Sequence, residues 1–153
     1  MIKFFIAFFL ISIVQAKENY KRSDFNYESY IINIEKGFYT GKACKTNIDH
    51  VVSLKDAFLS GAYAWTSEMK KKFANDKSNH VAACIKINSS KGSATPKHFL
   101  RRSNDGKGLD YKIISFCKYL KIYHKTKITY KLSFQNNDAS LFRECNLKIN
   151  LKK

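Results

Sequence analysis

The sequence predicts a single small α+β domain in which a two-stranded hairpin is followed directly by a helix. A chain of 153 residues is long enough for one domain with a real core and too short for two. Two short apolar runs near residues 48–52 and 80–85 suit strands, and helix-capping residues precede most other apolar stretches. No repeat, low-complexity tract or proline-rich linker interrupts the chain, so we expect one continuous domain.

The first sixteen residues have the form of a secretory signal peptide. Lys3 supplies the positive start, residues 4–14 are apolar, and Ala16 is a small residue at a cleavage point. A membrane anchor is the alternative, but this run falls well short of the roughly 20 residues that span a bilayer. We therefore expect residues 1–16 to be removed, a mature domain of residues 17–153 without stable membrane insertion, and a secreted or periplasmic location.

The first half of the mature chain predicts an irregular segment, a strand and two helices. Residues 17–33 have no clean period and suit an irregular arm or a short strand, and residues 37–42 suit a turn. A first strand ends at Asp49 and His50. Ser53 caps a helix that Gly61 ends, and a second helix covers residues 66–74.

The second half predicts a strand and several helices. Residues 80–85 suit the second strand, and short helices follow, one with Thr95 as cap and Pro96 at its first position. A longer helix over residues 109–123 is predicted from apolar positions at helical spacing: Leu109, Ile113, Ile114, Cys117 and Leu120. Asp138 caps a last helix, so the helical C-terminal part covers about residues 109–147.

Four cysteines follow the predicted cleavage site, and exported proteins usually meet an oxidising compartment. We therefore expect two disulfides. Four cysteines permit three pairings, of which we favour Cys44 with Cys84 and Cys117 with Cys145. A zinc site is a poor alternative, because the chain has no C-x-x-C pair and no matching histidine pair.

The formal net charge of +16 favours a polyanionic partner. Removal of residues 1–16 takes away one Lys and no acidic residue, so the mature chain keeps nearly all of this charge. Nucleic acid, anionic membrane and glycosaminoglycan all fit, and charge alone does not choose among them. The alternative is that the charge only keeps a secreted protein soluble.

Polar side chains on the first strand and the following helix suggest a cation site. Asp49 lies at the end of the first strand and Asn88 in the helix after the second, so their oxygens could converge on one hard cation. Magnesium suits such a site, because it keeps most of its waters and takes few protein ligands. His50 points the other way along the strand, where it could face an attacking water.

These residues belong to an ordered set of motifs that resembles the HNH, or ββα-metal finger, nucleases, and above all their exported branch. The motifs are FYTGK at 38–42, DHVVSLKDAFLSGAYAW at 49–65, FANDKSNHV at 73–81 and NSSKGSATP at 88–96. The likeness covers about residues 38–100, which would form the core of an HNH domain within residues 17–153. An ordered set of this kind is far more specific than any one motif.

The resemblance implies a role for each polar residue of the centre. Asp49 and Asn88 would ligate Mg²⁺, or another divalent cation such as Mn²⁺. Asn79 would hold the ring of His50 by a hydrogen bond, and neutral His50 would take a proton from the attacking water.

The resemblance also implies substrate contacts. Lys91 would neutralise a phosphate, helped by Arg101 and Arg102. The chain departs from the family pattern at Ser53, where a proline is typical, and in its short amino-terminal segment, which weakens the expected grip on the substrate.

The sequence therefore predicts a magnesium-dependent HNH endonuclease that hydrolyses phosphodiester bonds of DNA, with RNA as a further candidate, with little sequence preference. No base-reading module is visible, so backbone binding is expected. We expect a monomer, with a cognate inhibitor in the producer if the protein is a toxin. The alternative is a secreted cationic protein that binds nucleic acid or another polyanion without catalysis.

Overall fold

The computed structural model describes residues 19–102 and 111–151, in which two strands and six α-helices surround one core. The predicted signal peptide lies outside the described residues. A 3-10 helix, Arg22–Phe25, precedes the first strand. The strands and α-helices are β1 (Thr46–His50), α1 (Leu54–Leu59), α2 (Ser67–Ala74), β2 (His80–Cys84), α3 (Ile85–Lys91), α4 (Pro96–Arg102), α5 (Phe116–Thr129) and α6 (Ala139–Arg143).

The strands β1 and β2 form an antiparallel hairpin, and α3 follows β2 without a loop. Thr46 pairs with Cys84 at one end of the hairpin and His50 pairs with His80 at the other. Residues 37–42 form the predicted turn, and the Phe38 N–H donates a hydrogen bond to the carbonyl oxygen of Ala82 (2.8 Å). This bond fixes the turn against the hairpin and brings Tyr39 beside β1.

Ser53 caps α1 as the sequence predicts, and Thr66, which the sequence places inside the second helix, caps α2. The Asp56 N–H donates to Ser53 Oγ (3.0 Å), and the Met69 N–H donates to Thr66 Oγ1 (3.3 Å). A side-chain oxygen at this position satisfies a backbone donor that has no partner within the helix. The Asp138 carboxylate caps α6 in the same way, by accepting from the Ser140 N–H (2.9 Å).

The long helix α5 begins later than the sequence predicts. Its first residue is Phe116, and Leu109 lies outside the described residues. Just before the helix, the Ile114 N–H donates to the carbonyl oxygen of Tyr39 (2.9 Å), which binds this segment to the 37–42 turn. The predicted apolar stripe is also wrong at Ile114, whose side chain is 64% exposed. The helix buries a different stripe, at Tyr119, Leu120, Tyr123, Thr126 and Lys127.

A buried ion pair joins α5 to α1 inside the core. Lys127 Nζ donates to Asp56 Oδ1 (2.8 Å), and the Tyr123 hydroxyl donates to Asp56 Oδ2 (2.7 Å). Burial lowers the pKa of Lys127, and the Asp56 carboxylate opposes that shift. Because each of these two charges has a partner, burying them costs far less free energy than burying an unpaired charge would.

Two disulfides connect Cys44 to Cys84 and Cys117 to Cys145, which are the favoured pairings. The first joins the residue two before β1 to the end of β2. The second ties the first turn of α5 to the segment after α6. Gly37 packs against the first disulfide, where a Cβ would overlap the sulfur of Cys84. Any larger residue at that position would push the 37–42 turn off the hairpin.

The predicted small α+β domain is confirmed. The core is largely aromatic, and its contacts run from the amino-terminal arm to α6. Fully buried rings include Phe25, Tyr39, Phe73, Phe99, Tyr119, Tyr123 and Phe142.

Removal of the second disulfide should destabilise the domain measurably. Replacing Cys117 and Cys145 together by Ser should lower the free energy of unfolding by about 3–4 kcal/mol, because the bond closes a long loop in the unfolded chain. Urea unfolding followed through the fluorescence of Trp65, the single tryptophan, measures this change. Fully reduced wild type should unfold still more easily. Equal stability of the variant and the oxidised wild type would contradict the prediction.

Candidate functional site

A cleft of about 420 Å³ opens at the end of the hairpin, between β1, α3, the start of α1 and the amino-terminal arm. Its lining contains three of the seven predicted site residues: Asp49, His50 and Asn88. The lining residues are Tyr20, Arg22, Asn47, Ile48, Asp49, His50, Ser53, Leu54, Lys55, Asn88, Gly92 and Ser93.

Asp49 lies at the bottom of this cleft and is held by two donors. Lys91 Nζ donates to its Oδ1 (3.0 Å), and the Tyr39 hydroxyl donates to its Oδ2 (2.5 Å). The carboxylate is 4% exposed and Lys91 is fully buried. Since the two donors occupy opposite oxygens, the carboxylate has one fixed orientation relative to β1 and α3.

His50 is anchored through one ring nitrogen. Its Nε2 lies 2.7 Å from the carbonyl oxygen of Ala74, which can only accept, so Nε2 carries the proton. In the neutral ring Nδ1 is then the unprotonated nitrogen. Burial lowers the pKa of His50 to about 3, a shift that the bond to Ala74 opposes and that positive charges, Arg22 and Lys91 among them, reinforce.

A second histidine and a tyrosine pack against the ring of His50. His80 meets it at 4.4 Å between ring centroids, and Tyr27 meets it edge-on at 4.7 Å. His80 Nε2 donates to the same Ala74 carbonyl (3.0 Å), and its Nδ1 accepts from the Tyr30 hydroxyl (3.1 Å). Both nitrogens of His80 are therefore engaged, whereas His50 makes its one side-chain hydrogen bond among the described residues through Nε2.

The expected role of Asn79 is wrong. Its side chain does not contact the ring of His50, because both of its polar atoms bind the backbone of Val52. The Val52 N–H donates to Asn79 Oδ1 (2.8 Å), and Asn79 Nδ2 donates to the Val52 carbonyl (3.0 Å). Fully buried Asn79 thus fixes the turn after β1, while the Ala74 carbonyl orients the histidine.

Asn88 lies on α3 next to the end of β1. Its Nδ2 donates to Asn47 Oδ1 (2.9 Å) and to the Ile48 carbonyl (3.2 Å). The amide oxygen takes part in neither bond. Asn88 and Asp49 therefore line one cleft from α3 and β1.

The predicted contact of Lys91 with a substrate phosphate is wrong. The side chain is fully buried, and its Nζ donates to Asp49 and to the His50 carbonyl (2.8 Å). A lysine without exposed surface cannot reach a phosphate in the cleft, so its role is to position Asp49. Arg101 and Arg102 end α4, and their side chains lie outside the described part of the structure.

The donor set at the cleft fits a hydrated hard cation held by few protein atoms. Asp49 contributes one carboxylate whose two oxygens keep acceptor capacity beyond their bonds to Lys91 and Tyr39. Asn88 contributes an amide oxygen, and the cleft has room for water ligands. Within residues 19–102 and 111–151 no three His, Cys, Asp or Glu side chains cluster as a metal site.

Sequence reasoning missed four contributions to the site. Tyr39 was read only as part of a turn, and the Ala74 carbonyl carries no sequence signal. Tyr20 and Arg22 were assigned to an irregular arm, yet both line the cleft. A buried aromatic anchor such as Phe25, three residues beyond Arg22, is the pattern that could have indicated that the arm packs on the domain.

Comparison with known proteins gives one relative of limited coverage. Over 100 residues the chain is 32% identical to an uncharacterized secreted protein of Arthroderma benhamiae; the match covers 64% of this chain and 45% of that protein. The aligned part thus spans less than half the length of the relative. No protein-family model matches the chain. No solved structure matches it either.

The predicted export of the chain is confirmed by its similarity to a secreted protein. The two disulfides agree with that location. Every helix in the described ranges is too short or too polar to cross a bilayer.

The ion pair at the bottom of the cleft should be a major source of stability. Lys91→Met should lower the free energy of unfolding by about 3–5 kcal/mol, because it leaves the Asp49 charge buried without its cation. Urea unfolding measures this loss.

The double variant Asp49→Asn, Lys91→Met is the matched control for that experiment. It removes both charges together and should be more stable than Lys91→Met alone. A Lys91→Met protein as stable as wild type would show that Lys91 is not held in this pair.

Proposed function

We propose that this chain is an exported, divalent-metal-dependent endonuclease of the HNH type, which hydrolyses phosphodiester bonds of DNA, and of RNA, with little sequence preference. The proposal includes a ββα-metal finger formed by β1, β2 and α3. It rests most on one observation: a histidine with a main-chain carbonyl at Nε2 shares a cleft with a carboxylate and an amide oxygen.

The anchored histidine supports a role as general base. A neutral ring whose proton is held on Nε2 leaves Nδ1 to accept a proton from water, and the burial that lowers its pKa keeps the ring neutral at neutral pH. The contacts with Tyr27 and His80 limit ring rotation. The side chain therefore needs little reorganisation before it accepts a proton.

The acidic side of the site supports binding of a cation beside the phosphate. Asp49 and Asn88 would hold Mg²⁺ or Mn²⁺, which when bound would supply charge stabilisation for the phosphoryl group in the transition state. Lys91 and Tyr39 keep the Asp49 carboxylate in place. Asn79 holds the turn that starts just beyond His50 and so keeps the base at the end of β1.

Replacement of His50 tests whether this histidine acts as the general base. His50→Ala should lower the cleavage rate of plasmid DNA in Mg²⁺ by about 10²–10⁴-fold, because proton transfer by a positioned side chain contributes that much. Binding of a DNA duplex in EDTA should survive the substitution. Nicking assays and fluorescence anisotropy measure the two effects.

His98→Ala is the matched control, because His98 is a histidine of α4 that does not line the cleft. It should cleave as wild type does, and EDTA should stop cleavage by both proteins. Normal cleavage by His50→Ala in Mg²⁺ would remove His50 from the mechanism. An absence of cleavage by wild type on duplex DNA, single-stranded DNA and RNA with Mg²⁺ or Mn²⁺ would remove the enzyme proposal itself.

A second candidate function is a cationic protein that binds nucleic acid or another polyanion without catalysis. What favours it is a second groove of about 420 Å³ on the other side of the hairpin start, bordered by exposed lysines. The lysines are Lys42, Lys45 and Lys86. The neutralisation of Asp49 by Lys91 is also compatible with a protein that holds no cation.

Substitution of the groove lysines tests polyanion binding independently of cleavage. The triple variant Lys42→Ala, Lys45→Ala, Lys86→Ala should weaken duplex DNA binding and reduce the slope of log K against log salt by about 2–3, since each phosphate contact contributes roughly 0.9. Anisotropy titrations at several salt concentrations measure the slope.

Three exposed lysines of α5 provide a control with the same loss of net charge: Lys118, Lys121 and Lys125. Their alanine variant should leave the slope close to that of wild type. Equal losses in both triple variants would mean that overall charge, and not the groove, binds the polyanion.

A further inference from the structure

The amino-terminal arm is packed firmly on the domain. The ring of Phe25 is fully buried and meets Phe73 of α2 at 6.3 Å between centroids, and Tyr20 meets Phe58 of α1 at 5.6 Å. Farther along the arm, the Glu28 N–H donates to Asn75 Oδ1 (2.9 Å). The packed rings of Tyr20 and Phe25 and the hydrogen bond of Glu28 beyond them therefore fix the path of the arm.

That path brings Arg22 to the wall of the cleft that faces β1. Phe25 points into the core, whereas Arg22 is exposed and lines the same cleft as Asp49 and His50. Its positive charge is felt at His50, whose pKa is lowered first by burial and further by Arg22. It is also felt at Tyr20, whose pKa is raised by burial and lowered in part by Arg22.

Arg22 has no carboxylate partner among the described residues. Three ion pairs form in those ranges, and they use Lys71, Lys91 and Lys127. The only carboxylate that lines the cleft, Asp49, is already paired with Lys91. The guanidinium is hydrogen-bonded to Tyr20 and lines the cleft without a carboxylate counterion among the described residues, which favours an anion from outside.

We propose that Arg22 binds a phosphate group of the nucleic acid in this cleft, and that the amino-terminal arm forms the substrate-binding wall opposite Asn88. The inference rests on the proposed function and adds a residue that the family-like motifs of residues 38–100 do not contain. A guanidinium presents paired donors that match phosphate oxygens, which a lysine does not. Lys55, at the start of α1, lines the same cleft and adds to its positive charge.

Substitutions at Arg22 test the inference with cleavage and with binding. Arg22→Ala and Arg22→Gln should each lower kcat/KM for duplex DNA by about tenfold to a hundredfold, since both remove the charged donor pair. Arg22→Lys should recover part of the loss, because it keeps the charge without the planar fork. Since the side chain is exposed, thermal unfolding of all three variants should match wild type.

The binding assay does not depend on turnover. In the His50→Ala background and in EDTA, Arg22→Ala should weaken duplex binding and reduce the salt slope by about 0.9, the value of one phosphate contact. Lys21→Ala is the matched control, because Lys21 is the neighbouring exposed cation of the arm and does not line the cleft.

The outcomes separate this inference from the proposed function. If wild type cleaves DNA and Arg22→Ala behaves as Lys21→Ala does in both assays, the inference is wrong while the nuclease proposal stands. If wild type does not cleave but binding depends on Arg22 and not on Lys21, the phosphate site stands without the enzyme. A loss in Arg22→Ala that Arg22→Gln does not share would indicate packing and would also overturn the inference.

Discussion

The carboxylate of Asp49 is the point on which the site depends. It is buried at the end of β1, where Lys91 and Tyr39 each donate to one of its oxygens. These donors come from α3 and from the turn at residues 37–42, so one carboxylate fixes three parts of the chain relative to each other. Lys91 also donates to the His50 carbonyl, which ties the backbone of the base to the same pair. The buried ion pair therefore fixes the relative positions of Asp49 and of the His50 backbone at the cleft.

The same combination of aspartate, lysine and tyrosine occurs again between α1 and α5. Asp56 accepts from Lys127 and from the Tyr123 hydroxyl, and Tyr119 packs between Tyr39 and Tyr123 at 5.4 and 6.2 Å. One row of aromatic rings thus connects the two ion pairs. The two carboxylates are equally buried, and they differ in that Asp49 lines the cleft and Asp56 does not. The Asp56 pair joins α5 to α1, whereas the Asp49 pair joins α3 to β1 beside the cleft.

Local sequence signals predicted the hairpin and the capped helices, since each depends on neighbouring residues. The sequence predicted two disulfides, but it does not decide among three pairings, and the favoured one is the pairing in the structure. The start of α5 was predicted too early, and the bond from Ile114 to Tyr39 just before the helix is a tertiary contact that apolar spacing does not show. Motif order predicted that Asp49, His50 and Asn88 would meet, and they line one cleft. Motif order misassigned Lys91, because a motif does not show that this side chain is buried. It misassigned Asn79, because a motif does not show that the Ala74 carbonyl binds the ring of His50. Arg22 was missed for the opposite reason: it lies outside the motif, and only packing of Phe25 brings it to the cleft.

The charges around the cleft explain why a cation and a phosphate would assist each other on the proposed function. The protein offers one carboxylate, already neutralised by Lys91, so its own attraction for Mg²⁺ is weak. Arg22 and Lys55 leave the cleft positive, which attracts a phosphodiester before it attracts a cation. A phosphate seated against Arg22 would bring the anionic oxygens that the protein lacks and so complete the coordination of a hydrated ion. On this proposal, the substrate and the cation would bind together, and neither would bind tightly alone. This coupling would limit cleavage to phosphates that the arm already binds.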